Sequence, residues 1–172
     1  AEGARLVTLS STGHKISGIR WDDIHFNDSE YEKWAAYGQS KTAASLLAVE
    51  VDKRMKDSGV RAFGVHPGGI MTPLQRHLEQ EEMVALGWMD KDGQPTERVA
   101  KMFKSATQGA STTLWAATSP QLDGIGGVYC ENCEVAAPTD DGENARFIGV
   151  NDWAVDSDEA SRLWDETEHM LS

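Results

Sequence analysis

Residues 34–44, Trp-Ala-Ala-Tyr-Gly-Gln-Ser-Lys-Thr-Ala-Ala, decide how the rest of the chain is interpreted. Tyr37 and Lys41 stand four positions apart in a stretch that continues into good helix formers. On a helix, positions i and i+4 share one face, with β-carbons about 5–6 Å apart. The spacing therefore predicts a phenol and an ammonium held as neighbours. A fixed cation favours the phenolate and lowers a tyrosine pKa from about 10, which is how a phenol can transfer protons at neutral pH.

The same spacing also occurs in ordinary helices, where a surface pair contributes only a few tenths of a kcal/mol. The flanking sequence distinguishes the two interpretations. Upstream, residues 5–11 (Arg-Leu-Val-Thr-Leu-Ser-Ser) predict a buried strand that ends in two serines. Downstream, residues 61–66 predict a second strand, and Pro67-Gly68-Gly69 then turns the chain before Thr72. The chain thus has three elements in order. A strand that ends in serine comes first, a helix with tyrosine and lysine follows, and a strand with Pro-Gly and threonine comes last.

This order resembles the catalytic half of a short-chain dehydrogenase/reductase, over residues from about Ala4 to about Cys133. The amino-acid sequence of residues 36–43 and the long insert between Ser11 and Tyr37 are most similar to those of the retinol-dehydrogenase-type branch. The resemblance implies that Tyr37 passes the proton, that Lys41 supports it and holds the nicotinamide ribose, and that Ser11 orients the substrate oxygen. It implies NAD or NADP as cofactor, bound by Tyr37 and Lys41 together with Pro67, Gly68, Gly69 and Thr72.

The fold that the resemblance implies is α/β, the C-terminal half of a Rossmann-type doubly wound parallel sheet with three recognisable strands and flanking helices. The glycine-rich turn that approaches the cofactor pyrophosphate does not occur in the sequence. We therefore expect the N-terminal nucleotide-binding half to be absent. Residues 1–138 are expected to form the partial Rossmann-type domain. Residues 139–172, for which we identify no family counterpart, are expected to form an acidic extension with a helix near 157–171.

The remaining helices and strands are predicted from periodicity and from Gly and Pro positions. Helices are expected at 29–57, 73–87 and 95–118, and a last strand at 126–130. Ser29 or Asp28 is expected to cap the first helix and Gly59 to end it. Four apolar residues after the Pro-Gly turn, which could line a substrate pocket or equally be ordinary packing, are Met83, Leu86, Trp88 and Met89.

The composition excludes several classes of protein. A net charge of −12 argues against binding nucleic acid or an anionic membrane surface. No apolar run approaches the roughly 20 residues of a membrane span, and the first residues do not resemble a signal peptide, so we expect a cytoplasmic protein. Residues 139–172 hold a net charge of −8, which predicts a solvated surface.

Cys130 and Cys133 form a Cys-x-x-Cys spacing, which is compatible with a redox pair or half of a zinc site. Zinc prefers four ligands, a second cysteine pair is missing, and the five histidines show no ligand spacing. We therefore predict no metal site and two reduced thiols near a strand end.

Two functions follow as expectations. The first is an NAD(P)-dependent oxidoreductase acting on a small hydrophobic alcohol or carbonyl compound, weakly active or inactive as this chain alone. The second is a non-catalytic remnant that serves as an oligomerisation or interaction module. Because a half-sheet exposes unpaired backbone groups at its edge, we expect a homo-oligomer or a complementary N-terminal half as partner.

Overall fold

A four-stranded sheet lies at the centre of the protein in a computed structural model, which describes residues 3–142 and 145–172. Three strands run parallel: β1 (Arg5–Leu9), β2 (Arg61–His66) and β3 (Val128–Glu131). The short β4 (Glu134–Val135) pairs antiparallel with β3, and the strand order is β1-β2-β3-β4. The predicted α/β fold with three recognisable parallel strands is confirmed. The fourth strand was not predicted.

The hairpin between β3 and β4 explains the Cys-x-x-Cys spacing. Asn132 and Cys133 both take left-handed backbone conformations, with φ of 52° and 59°, and form the two-residue turn. Cys130 is fully buried in the sheet, whereas the Cys133 sulfur lies 3.9 Å from the Thr112 hydroxyl. In the part of the chain that the structure describes, no group of three or more His, Cys, Asp or Glu residues could hold a metal ion. The structure places Cys130 in β3 and Cys133 in the turn of a tight hairpin.

The helix that holds the tyrosine and lysine, α1, runs from Lys33 to Met55. Its start was predicted too early. The Glu32 carboxylate caps it by accepting from the backbone N–H groups of Trp34 and Ala35, at 2.9 and 2.6 Å. Ser29 lies three residues before the cap, and its hydroxyl instead accepts from the Arg20 guanidinium and donates to Asp23. At the other end, one 3-10 turn leads to Gly59, whose φ of 76° ends the helical segment as predicted.

The two helices expected after β2 are each interrupted. The first consists of a 3-10 helix (Pro73–His77) followed by α2 (Gln80–Ala85). The second consists of α3 (Glu97–Met102) and α4 (Ala106–Thr118). The chain is extended at Phe103, and the Lys104 N–H donates to the Gly69 carbonyl at 2.8 Å. Ser105 then begins α4 with a capping box. The single long helix predicted at 95–118 is therefore wrong.

Helices cover both faces of the sheet. On one face, Phe63, Val65 and Cys130 pack with Ala116 of α4 and with Leu122. On the other face lies α1, and α5 (Ser157–Leu171) packs on α1 through a cluster that contains Leu46, Val49 and Ala160. The helix predicted at the acidic end of the chain is confirmed. Ala160 is nearly inaccessible to solvent, so this helix contributes to the core as well as to the charged surface.

An ion pair between the buried Asp52 and the partly buried Arg61 joins the end of α1 to the start of β2. The Asp52 carboxylate accepts from the Arg61 guanidinium at 2.8 and 3.0 Å and from the Ala62 N–H at 3.0 Å. Asp52→Ala is expected to lower the free energy of unfolding by about 3 kcal/mol, because it leaves a partly buried cation and a buried N–H unpaired. Urea unfolding measures the loss.

The matched control for this variant is Asp123→Ala. Asp123 also pairs with an arginine, Arg5, at 2.8 Å, but its side chain is 74% exposed. Asp123→Ala is expected to lower the free energy of unfolding by about 1 kcal/mol or less. Equal losses for the two variants would contradict the role given to the pair of Asp52 and Arg61.

No helix in residues 3–142 and 145–172 combines the length and apolar character needed to cross a lipid bilayer.

Candidate active site

Tyr37 and Lys41 lie on one face of α1, beside the carboxyl end of β1. The Lys41 ammonium is 5.5 Å from the centre of the Tyr37 ring and donates to the Leu9 carbonyl at 3.2 Å. Burial lowers the pKa of Lys41 from its ordinary value. The hydrogen bond to the last residue of β1 fixes the ammonium between the strand end and the tyrosine, so the neighbour relation expected from the spacing is present.

The two serines after β1 have different environments. Ser10 is buried, and its hydroxyl donates to the Lys41 carbonyl at 2.7 Å, which fastens the strand end to α1. Ser11 is half-buried, and its hydroxyl accepts from the Gly13 N–H at 3.0 Å while capping the 3-10 helix Thr12–Lys15. Ser11 therefore keeps a hydroxyl proton for another acceptor, as the assignment of this serine requires.

Gly13, which the sequence interpretation overlooked, brings Ser11 and Tyr37 together. A β-carbon on Gly13 would lie 2.5 Å from a ring carbon of Tyr37 and 3.5 Å from the Ser11 hydroxyl oxygen. The Tyr37 ring and the Ser11 side chain thus both lie beside Gly13, where a residue with a side chain would collide with the ring. The glycine two positions after Ser11 is the sequence signal that could have indicated this contact.

The Pro-Gly turn after β2 lies at the same end of the sheet. Gly68 has a φ of 97°, a conformation that favours glycine, and a β-carbon there would lie 2.7 Å from the Lys104 side chain. Lys104, a residue missed by sequence reasoning, in turn donates to Asn132 at 2.7 Å. The Thr72 hydroxyl caps the 3-10 helix that follows, accepting from the Leu74 N–H at 3.3 Å.

An open apolar groove of about 440 Å³ begins at this turn and follows α4. Its lining comprises residues at the ends of β1 and β2 and one face of α4: Leu9, Pro67, Ile70, Thr72, Ala106, Gly109, Ala110, Thr113 and Leu114. Two of the residues expected to contact cofactor, Pro67 and Thr72, are among them. The four apolar residues considered for a substrate pocket are not. One of those four, Trp88, packs edge-to-face on Phe103 with ring centres 5.7 Å apart.

His66, at the end of β2, lies behind this region. Its ring nitrogen Nδ1 is buried and has no partner in the described residues. Burial, reinforced by Lys104, lowers the pKa of His66 to about 4, so the imidazole is neutral at pH 7.

Comparison with known proteins identifies several relatives of this chain by sequence similarity. It is 37% identical over 169 residues to the short-chain dehydrogenase/reductase prx1 of Penicillium roqueforti, covering 98% of this chain and 47% of that protein. It is 38% identical over 172 residues to a protein of Streptomyces lividans named as an oxidoreductase, covering all of this chain and 57% of the relative. Mouse retinol dehydrogenase 12 is 31% identical to the chain over 168 residues, which cover 98% of this chain and 46% of that protein.

The solved structures agree in fold. An uncharacterised protein of Mycobacterium paratuberculosis superposes with a TM-score of 0.61 at 24% identity, over 96% of this chain and 49% of that one. No family model matches the sequence.

The alignments correct one expectation and support another. The Streptomyces alignment includes residues 139–172, so this segment does have a counterpart among the relatives. The chain spans about half the length of the curated relatives it matches, as expected for a partial fold. With 31–38% identity over nearly all of its residues to proteins of this kind, the chain belongs to the short-chain dehydrogenase/reductase family.

Proposed function

We propose that this chain provides the proton-transfer residues of an NAD(P)-dependent oxidoreductase that interconverts an alcohol and its carbonyl. The observation on which the proposal depends is that Ser11 and Tyr37 both lie beside Gly13 at the carboxyl end of β1, with the Lys41 ammonium next to the tyrosine ring. In open parallel sheets, ligands bind beyond the carboxyl ends of the strands. The names of the matched relatives, which include oxidoreductase and retinol dehydrogenase, support the same reaction class.

Each of the three residues has one task in the proposed reaction. In alcohol oxidation the Tyr37 phenolate takes the hydroxyl proton, and in carbonyl reduction the phenol gives it back. The Lys41 ammonium stabilises the negative phenolate oxygen. The Ser11 hydroxyl donates to the substrate oxygen and holds it near Tyr37.

A nicotinamide cofactor fits the residues at the Pro-Gly turn. The groove beside Pro67 is apolar, as a nicotinamide face requires, and the Thr72 side chain contributes to the same lining. Lys41 offers a cation for ribose hydroxyls. The cofactor supplies hydride transfer, the chemistry that protein side chains lack. The apolar lining of the groove also supports a hydrophobic alcohol or carbonyl compound as the substrate class.

A second candidate function is an interaction module without catalysis. Within the described residues β1 pairs only with β2, and at this sheet edge Leu9 is 53% exposed. An open strand edge with exposed apolar side chains favours association with another chain. This module would pair with a second copy or with a complementary half, and it needs no cofactor.

Cofactor titration distinguishes the two functions. We expect NADH or NADPH to quench the fluorescence of the six tryptophans saturably, with energy transfer to the reduced nicotinamide. Lys41→Met is expected to weaken binding by roughly 10–100-fold, the effect of losing a hydrogen bond to a charged group. Lys53→Met is the matched control, since this lysine of the same helix bonds to Ser161 away from the site and should leave binding unchanged. Absence of quenching by both nucleotides would favour the interaction module.

A further inference from the structure

His14 lies three residues after Ser11, and its side chain is completely buried. Its ring nitrogen Nδ1 is 2.7 Å from the Ser11 carbonyl oxygen, and its Nε2 is 3.1 Å from the backbone nitrogen of Asn151. A backbone N–H can only donate, so Nε2 is the acceptor and Nδ1 holds the proton and donates to Ser11. Both ring nitrogens are therefore satisfied in one tautomer.

The backbone of His14 is fixed as firmly as its ring. Its carbonyl accepts from the Trp153 indole N–H at 3.1 Å and lies 3.2 Å from the Thr42 hydroxyl of α1, which shares its single proton with the Ser17 carbonyl at 2.7 Å. Trp153 belongs to the 3-10 helix Asp152–Ala154, which follows Asn151 directly. The turn after β1 is thus joined to α1 and to a segment almost 140 residues later.

The surroundings of the imidazole keep it neutral. Tyr129 of β3 lies against it with ring centres 5.0 Å apart. Burial lowers the pKa of His14 to about 4; the bond to Ser11 acts in the opposite direction, and the neighbouring Lys15 adds to the lowering. His66 of β2 is a further titratable group within electrostatic reach. At neutral pH, Nε2 is available to accept from Asn151.

We infer that His14 is a positioning residue, which holds Ser11 beside Tyr37 by bridging the Ser11 carbonyl to the backbone of Asn151. The segment after Pro138 then completes the site, because Asn151 anchors the imidazole that fixes the serine. The importance of Ser11 rests on the proposed function, but the bridge itself can be measured without turnover.

The Gly13 amide is a direct reporter of the serine. Its N–H donates to the Ser11 hydroxyl at 3.0 Å, so its hydrogen exchange accelerates when that side chain leaves its place. Two variants each break one arm of the bridge. Asn151→Pro removes the N–H that His14 accepts, at a φ of −78° that proline tolerates. His14→Gln keeps an acceptor for Asn151 but loses the ring donor to Ser11.

The experiment is NMR on the full 172-residue chain. Imidazole nitrogen shifts should show His14 neutral with the proton on Nδ1. Gly13 exchange should accelerate about tenfold in Asn151→Pro and in His14→Gln, the ratio that corresponds to one hydrogen bond. Exchange at the buried Val65 should stay unchanged, which excludes global unfolding as the cause. Trp153→Phe leaves both hydrogen bonds of the imidazole in place and is the matched control. Its Gly13 exchange rate should differ less than about twofold from that of the unmodified chain, as expected for a surface substitution.

A proton on Nε2, or Gly13 exchange within about twofold of the unmodified chain in both variants, would overturn the inference. These readouts are independent of the proposed function, which fails separately if nucleotide does not bind. Where turnover is measurable, Asn151→Pro should lower kcat while leaving cofactor affinity unchanged, a separation that simple destabilisation would not produce.

Discussion

Replacing Tyr37 with phenylalanine is expected to lower turnover by about 10²–10⁴-fold, the contribution of a positioned general acid or base. Phenylalanine keeps the ring that packs against Gly13 and Trp34, so the loss is confined to the hydroxyl. Ser11 and Lys41 cannot replace it. A lysine ammonium has no lone pair with which to take the alcohol proton, and an unassisted serine hydroxyl is too weak a base at neutral pH.

The measurement is a steady-state rate of NAD(P)-dependent alcohol oxidation, on a preparation in which the unmodified protein turns over. Tyr31→Phe is the matched control. Tyr31 precedes α1, is 67% exposed and packs on Phe26, and its variant should retain full activity. Nucleotide affinity should change far less than turnover in Tyr37→Phe. Near-normal rates in this variant would remove Tyr37 from the proposed mechanism.

The parts of this structure that sequence could predict depend on local periodicity. The four-residue spacing of Tyr37 and Lys41 fixes a shared helix face wherever that helix lies, and the lysine is indeed next to the tyrosine ring. The parallel strands follow from short apolar runs separated by a helix, since such connections return the chain in the same direction. Gly59 could be predicted as a helix end because positive φ is a property of the residue itself.

The features that sequence could not predict depend on distant partners. The break at Lys104 exists because its N–H pairs with Gly69, and nothing in residues 95–118 indicates that partner. The bond between His14 and Asn151 joins positions 137 residues apart, so the sequence around either residue does not indicate its partner. For the same reason, the acidic composition of residues 139–172 indicated a solvated surface but concealed the buried face of α5.

Acidification from pH about 6.5 to about 4 is expected to destabilise the fold strongly, because two buried histidines must then be neutral in the folded state. The folded pKa values of His14 and His66 are both about 4, below the unfolded value of 6.5. Between these limits the unfolded chain binds more protons, so the free energy of unfolding falls as pH falls. Each histidine accounts for at most about 3 kcal/mol, at 1.36 kcal/mol per pKa unit. Together they amount to a large share of a typical stability of about 5–15 kcal/mol.

Urea unfolding at several pH values across this window tests the prediction. His14→Gln cannot titrate, so its stability should depend on pH about half as steeply between pH about 6.5 and about 4 as that of the unmodified chain. His77→Gln, at an exposed position of the 3-10 helix after the Pro-Gly turn, is the matched control and should keep the full dependence. Carboxylates protonate mainly below pH about 4.5, which separates their contribution from that of the histidines. A flat profile down to pH about 4.5 in the unmodified chain would mean that the two imidazoles reach water, and the bond from Asn151 to His14 could not then be the anchor of Ser11.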